Sequence, residues 1–287
     1  MIDLALSVLC SSLIFVVFKL FSVHKVHTLS AIITNYVVAS ICGLVFNPLT
    51  ISLPQLMSKP WFLGTVLLGV FFLLVFNIMA KSSQINGVGV TSVATKMSLV
   101  VPVLFAVMYY RDKLSILQIM GIILALAAVY LASSRESGLK MERNHLWLPV
   151  LVFLGSGCID TSIKFIQEGY LMDSDYPIFS STVFGAAALS GFVFLGIKGT
   201  GTAANFRFKS VLGGIGLGIP NYFSIFFLLR ALNHDSLNSA SIFTINNVAI
   251  VLFTTLLGII LFKEILTSKN WLGVGLAVIS IVLVALF

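Results

Sequence analysis

Charge is what this chain has least of. Only 9% of its 287 residues are Asp, Glu, Lys or Arg, about a third of the share in an ordinary soluble domain. A water-soluble globule is excluded, because its surface could not be covered with polar groups. Disorder is excluded too, since chains stay unfolded by being polar and charged. Cysteine is scarce. Cys10, Cys42 and Cys158 all fall inside apolar stretches, so neither a disulfide framework nor a thiolate metal site can be drawn from them. His24, His27, His145 and His234 fall between those stretches, and no His-Glu-x-x-His pair occurs. No Gly-x-x-x-x-Gly-Lys-Ser/Thr loop is present to bind a nucleotide's phosphates. The longest polar stretches, 133–145 and 198–209, are too short to fold as a soluble domain.

What fills the chain is apolar: 59% hydrophobic residues, with a mean hydropathy of +1.08. The apolar runs are continuous, as in 248–262 and 271–287. Barrel strands would instead alternate over segments of about ten residues. A helix crossing the hydrocarbon needs about 20 residues. Ten such stretches can be read: 2–21, 28–46, 61–80, 88–110, 114–132, 146–166, 177–197, 211–231, 238–262 and 271–287. Asn86-Gly87 opens the fourth and Tyr176-Pro177 the seventh. The first is not read as a secretory leader, because Met1-Ile2-Asp3 has no basic n-region. The net charge of +7 is no nucleic-acid signal, since the basic residues sit mostly at helix ends beside lipid headgroups. The expectation is an all-α protein of the lipid bilayer with ten transmembrane helices.

The chain repeats itself weakly. Displaced by 152 residues, Tyr110-Arg111-Asp112-Lys113-Leu114-Ser115 meets Phe262-Lys263-Glu264-Ile265-Leu266-Thr267. Gln118 then meets Asn270, and Gly121 meets Gly273. A displacement of 145 sets Lys19 against Lys164. Residues 1–133 and 146–287 are thus two five-helix halves, joined by 134–145. Five is odd, so the second half enters the membrane from the other side. Inverted halves of this kind mark secondary transporters, with the site near the midplane between them.

These residues resemble two copies of the EamA-type unit of the drug/metabolite transporter superfamily. The resemblance rests on Arg111-Asp112-Lys113-Leu114-Ser115 followed by Gly121, on Lys263-Glu264, Leu266-Thr267 and Gly273, on Lys19, and on Ser98 with Pro102. Thr254 stands in the second half where the first has Pro102. The resemblance implies a ten-helix transporter with both termini on the cytoplasmic side. The charge distribution implies the reverse. Eleven of the 17 Lys and Arg fall in odd-numbered connections and four in even-numbered ones, and an excess of basic residues marks the cytoplasmic face.

The informative residues are polar ones inside the spans. A Lys or Asp at a helix centre is disfavoured by about 2.5–3.5 kcal/mol. Lys96 lies about eight residues, roughly 12 Å, into the fourth helix, so it should face a wet cavity or a partner. Asp160 lies roughly 10 Å from the end of the sixth. It shares a helix face with Lys164, four residues on. Thr91, Ser92, Thr95, Lys96 and Ser98 make the first half of the fourth helix polar, as Asn238, Ser239, Ser241, Thr244, Asn246 and Asn247 do for the ninth. Under the 152-residue displacement Ser92 meets Thr244 and Thr95 meets Asn247. The paired polarity points to one central cavity. The competing reading is interhelical hydrogen bonding. Asn77 and Asn221 are isolated mid-span amides. Gly214, Gly218 and Pro220 read as a packing seam or a hinge.

The expected function is secondary-active transport of a small metabolite by alternating access, as exporter or exchanger, in a bacterial cytoplasmic membrane. A carboxylate-bearing solute such as an amino acid would bind Lys96, Ser92, Thr95, Thr244, Asn246, Asn247, Asn77 and Asn221. Asp160, Lys164, Lys19 and Pro220 would couple or gate, with a proton as the coupling ion. The alternatives are efflux of hydrophobic cations with Asp160 as the anionic site, or a non-transporting receptor or scaffold. No cofactor, metal or catalytic constellation is expected, and the chain is expected to be a monomer or weak dimer.

Overall fold

The computed structural model describes residues 1–46, 52–109, 115–133, 147–172, 175–197, 206–232 and 239–286. They form helices α1 Ile2–Val23, α2 Thr28–Phe46, α3 Leu53–Met57, α4 Phe62–Asn86, α5 Val88–Met97, α6 Val100–Tyr109, α7 Ile116–Ser133, α8 Trp147–Tyr170, α9 Tyr176–Ile197, α10 Phe208–Leu232, α11 Ser239–Phe262 and α12 Ser268–Leu286. Among the described residues there is no strand. Among these residues eight helical stretches are long and apolar enough to cross a membrane, α5 and α6 counting together as Val88–Tyr109. α7 and α12 are apolar over the shorter stretches Ile116–Ala132 and Ser268–Val284.

Three departures from the sequence expectation have local causes. The short helix α3 forms where a loop was expected, because Ser52 N–H donates to Gln55 Oε1 at 2.9 Å and Pro54 sits in its first turn. α4 runs on to Asn86 through Lys81-Ser82-Ser83-Gln84. Those polar groups are satisfied inside the bundle: Ser83 Oγ donates to Phe15 O at 3.0 Å, and Ser82 pairs with Thr91 at 2.8 Å. The fourth expected helix, 88–110, is broken into α5 and α6 at Ser98-Leu99. Pro102 has no N–H for the Ser98 carbonyl, and its ring crowds that carbonyl. Val101 N–H takes the carbonyl instead, at 2.9 Å.

The repeated motifs are helix starts. Ser115 N–H donates to Gln118 Oε1 and Gln118 N–H to Ser115 Oγ, at 2.9 and 3.1 Å. Thr267 and Asn270 make the same reciprocal pair at 2.9 and 3.3 Å. Both are capping boxes, which occupy the orphan donors of a first turn. The helices they open pack antiparallel. A side chain on Gly121, early in α7, would meet Val284 late in α12, and one on Gly273 would meet Ala132 late in α7. Ser280 Oγ donates across this seam to Gly121 O at 2.7 Å.

The other helix directions follow from similar contacts. α2 and α9 run antiparallel, with Ser40 bonded to Ser181 O and Gly191 against Ile33. α4 and α8 do too, through Gly155 on Val75 and Gly64 on Ile166. α2 and α10 run parallel: Gly214 sits on Ala31 and Thr34, Gly218 on Asn35 and Val38. α4 and α9 run parallel as well, with Gly69 on Ala186 and Gly191 on Leu73. The core these pairings enclose includes the fully buried Phe18, Ile32, Ile33, Tyr36, Met97, Leu217, Ile250 and Ile281.

Candidate functional site

The α5/α6 break is where the deep charges meet. Lys96, half-buried, is the penultimate residue of α5, two before the interruption. Ser98, at the break, donates its hydroxyl to Thr95 O at 2.5 Å, and the same oxygen lies 3.3 Å from Asp160 Oδ2 of α8. Lys96 and Asp160 lie close enough for their charges to attract. Asp160 is nonetheless open on its remaining surface, and Thr95 and Lys164 beside it are half-buried. A carboxyl group left open in mid-span is tolerated where it faces a water-filled space rather than acyl chains. A broken helix has the same requirement, since its freed backbone groups need partners or water.

The remaining expected residues are placed as follows. Ser92 is fully buried, donates to Gly89 O and accepts from Thr254 Oγ1 at 2.6 Å. It therefore stitches α5 to α11. Thr95 Oγ1 donates to Thr91 O, one turn back. Thr244 is buried on α11. Asn246 is buried and accepts from Ser7 of α1 at 3.2 Å, and its neighbour Asn247 is half-buried. Asn77 turns its amide onto Leu73 O of its own helix, at 2.7 Å. Asn221 donates to Asn35 Oδ1 at 3.1 Å, and the Asn35 amide nitrogen is buried without a hydrogen-bond partner. α10 passes through Pro220 as continuous helix, with Gly214 and Gly218 seated against α2. Lys19 donates to Gln84 O at 2.9 Å and lies 3.9 Å from Glu264.

Two groups of residues were not singled out as site residues in the sequence. Ser7 ties α1 to α10 and α11 through Ser224 O and Asn246. Glu264, recognised only as part of a helix junction, accepts from Val88 N–H at 2.9 Å and so sits on the first turn of α5. No spacing rule links residues 176 apart. Among the described residues no cluster of His, Cys, Asp and Glu could hold a metal ion.

The apolar helices define a multi-pass membrane protein in which polar side chains gather at the α5/α6 break. Comparison with known proteins shows what parts of the chain are similar to. Residues 2–134 match the EamA-like transporter family, so the resemblance seen in the junction motifs holds for the first half of the chain. An uncharacterized protein of Haemophilus influenzae is 28% identical over 284 residues, covering 95% of this chain and 93% of its own. A solved crystal structure superposes with a TM-score of 0.60 over 98% of this chain and 96% of that one, at 11% identity, which is a likeness of fold.

Proposed function

We propose that this protein is a secondary-active transporter of a small carboxylate-bearing metabolite, an exporter or exchanger working by alternating access in a bacterial cytoplasmic membrane. The observation that carries this reading is the α5/α6 break, which sets Lys96, Ser98 and Asp160 together within a span. Discontinuous helices are a usual way to build a transporter site at mid-bilayer depth. In this reading Lys96 takes the carboxylate, Thr95 and Asn247 supply neutral donors, and Asp160 exchanges a proton. Ser92, Asn246 and Asn221 hold the wall in shape.

Ten crossings in two inverted halves are part of the proposal. α7 and α12 count as crossings at the thin end of the range, where local thinning and snorkelling of flanking side chains accommodate a shorter apolar stretch. The helix directions support it: α2 with α9, and α7 with α12, are repeat-related pairs that run antiparallel. The pairings also exchange between halves, since α1 packs on α10 as α4 packs on α8, and α2 on α10 as α4 on α9.

The test is counterflow in proteoliposomes loaded with a panel of amino and organic acids. Uptake of one of them should be lost in Lys96→Glu while the variant purifies as a folded protein. Absence of counterflow with every solute would leave a receptor or scaffold, and unchanged uptake in Lys96→Glu would contradict the carboxylate reading. The open Asp160 carboxylate favours one second reading, efflux of hydrophobic cations, for which Asp160→Asn rather than Lys96→Glu would abolish transport.

A further inference from the structure

We propose that the oxygens around Asp160 form a binding site for a monovalent cation of the size of Na+, and that Lys96 competes with that ion for the carboxylate. The inference rests on the transporter reading for its use, and it names the ion that Asp160 would exchange against its proton.

A serine hydroxyl has one hydrogen to give. Ser98 gives it to Thr95 O, 2.5 Å away. Asp160 Oδ2 lies 3.3 Å from the same Ser98 Oγ, so the carboxylate meets lone pairs there and not a donor. Two electron-rich oxygens thus face each other where α5 ends, and a helix end of that kind carries partial negative charge. Such a group of oxygens needs a proton or a cation among its members. Lys96 does not supply it by contact. Among the described residues its ammonium makes no ion pair with Asp160, although the two charges attract.

A third oxygen points the same way. Ser156 is one turn before Asp160 on α8, and residues four apart share a helix face. Its two neighbours fix its direction. A Cβ at Gly157 would stand 3.1 Å from Ser98 O, and one at Gly155 would meet Val75 of α4. Ser156 therefore points between α4 and the α5/α6 break. Side chains on a helix lean toward its N-terminus, so the Asp160 carboxylate reaches back toward Ser156. The Ser156 hydroxyl is buried, with 7% of the residue exposed, and has no hydrogen-bond partner. Nearly all buried polar groups have one. A helical hydroxyl can bond to the carbonyl four residues back, as Thr161 does to Gly157 O at 2.7 Å and Ser162 to Cys158 O at 2.8 Å on the same helix. Ser156 does not, and its oxygen is left for a ligand.

The chemistry selects the ion. Carboxylate, hydroxyl and carbonyl oxygens suit hard cations. One carboxylate with Lys96 beside it brings too little negative charge for a divalent ion. Neighbouring oxygens 3.3 Å apart in an octahedral shell stand about 2.3 Å from its centre, at the short end of the roughly 2.3–2.6 Å range of Ca2+–oxygen bonds. Na+ has nearly the radius of Ca2+, whereas K+ is larger and needs its oxygens further apart. With Na+ at Asp160, the Lys96 ammonium is repelled from the carboxylate and left for the carboxylate of a solute. Ion and solute then favour each other's binding, and linkage makes the effect mutual. A proton and Na+ exclude one another from the single carboxylate.

The experiment follows thermal unfolding of the purified full chain in detergent by tryptophan fluorescence. NaCl is titrated against choline chloride at constant ionic strength, with KCl as a third arm. Na+ should raise the unfolding temperature along a saturable curve, and K+ should need a concentration at least about tenfold higher. Ser156→Ala should raise the half-saturating Na+ concentration by about tenfold, the loss of one neutral ligand on the scale of a hydrogen bond. Asp160→Asn should abolish the response, and Ser98→Ala, which should weaken it as Ser156→Ala does, serves if the Asp160 variant does not fold. Lys96→Met should lower the half-saturating concentration, an effect that a merely structural lysine would not have. Equal unfolding temperatures in Na+ and choline, identical titrations with Na+ and K+, or an unchanged response in Ser156→Ala would overturn the proposal. The measurement needs no solute. A Na+ response without any counterflow would leave the site standing and remove the transport reading. Counterflow that is equal in Na+ and choline, with no unfolding response, would remove the site and leave the transport reading.

Discussion

Asn270 does two jobs that its repeat partner Gln118 divides differently, and the difference is measurable. Both residues close a capping box at a helix start. Asn270 also donates to Ala132 O at 2.7 Å and Leu131 O at 3.3 Å, the last carbonyls of α7, which have no partner within their own helix. Asn270 is 7% exposed, so little water can replace it. Losing a capping side chain costs about 1 kcal/mol, and leaving a buried acceptor unsatisfied costs about 1–3 kcal/mol. Asn270→Ala should therefore destabilise by about 2–4 kcal/mol, and Gln118→Ala by about 1 kcal/mol. Reversible unfolding in mixed detergent micelles, followed by tryptophan fluorescence, gives both values under one set of conditions. Equal losses for the two variants would refute the claim that Asn270 closes the end of α7, and with it the account of how the two seam helices are joined.

Other outcomes follow from single contacts. Asp175, just before the apolar part of α9, is held below the usual carboxylate range. Burial alone would raise it, but the Lys59 ammonium at 3.0 Å and the Trp61 indole outweigh that. Its contribution to stability is present above the ordinary Asp value near ~4 and is lost as pH falls through the depressed value. Asp175→Asn should accordingly unfold more easily at pH 7 and show a flatter acid limb, and an unchanged limb would contradict the pairing. Pro102→Ala restores a donor for Ser98 O, so resistance to unfolding should hold or rise while counterflow falls. Equal counterflow in this variant would show that the helix break is dispensable. Gly218→Leu should fail to yield folded protein, because its side chain would enter the Asn35 backbone 2.7 Å away, and a folded, stable variant would refute close α2/α10 packing.

The helices were legible because apolar length is a local property. The α7/α12 seam was foreshadowed by Gly121, Gly273 and the paired Ser115/Thr267 motifs, which are local as well. The break was signalled by Ser98 and Pro102, yet 88–110 reads as one helix, since a proline in an apolar run gives a kink or a break according to what its neighbours can satisfy. Here the Ser98 hydroxyl lies against Asp160, 62 residues away. Polarity at helical spacing also could not separate a lining residue from a stitch. Ser92 and Thr95 look alike in sequence, and only the Thr254 hydroxyl opposite Ser92 sets them apart. Glu264 escaped for the same reason, because its partner is a backbone N–H in the other half.

The central claim is that water reaches the α5/α6 break at mid-membrane depth, and thiol accessibility tests it most directly. In the cysteine-free chain, Thr95→Cys is placed beside Lys96 and Ile123→Cys on the exposed face of α7. A charged, membrane-impermeant thiosulfonate is then added to sealed proteoliposomes. The account predicts that the thiol at 95 is modified while the one at 123, in acyl chains, stays unreacted. Equal inertness of the two positions would contradict it.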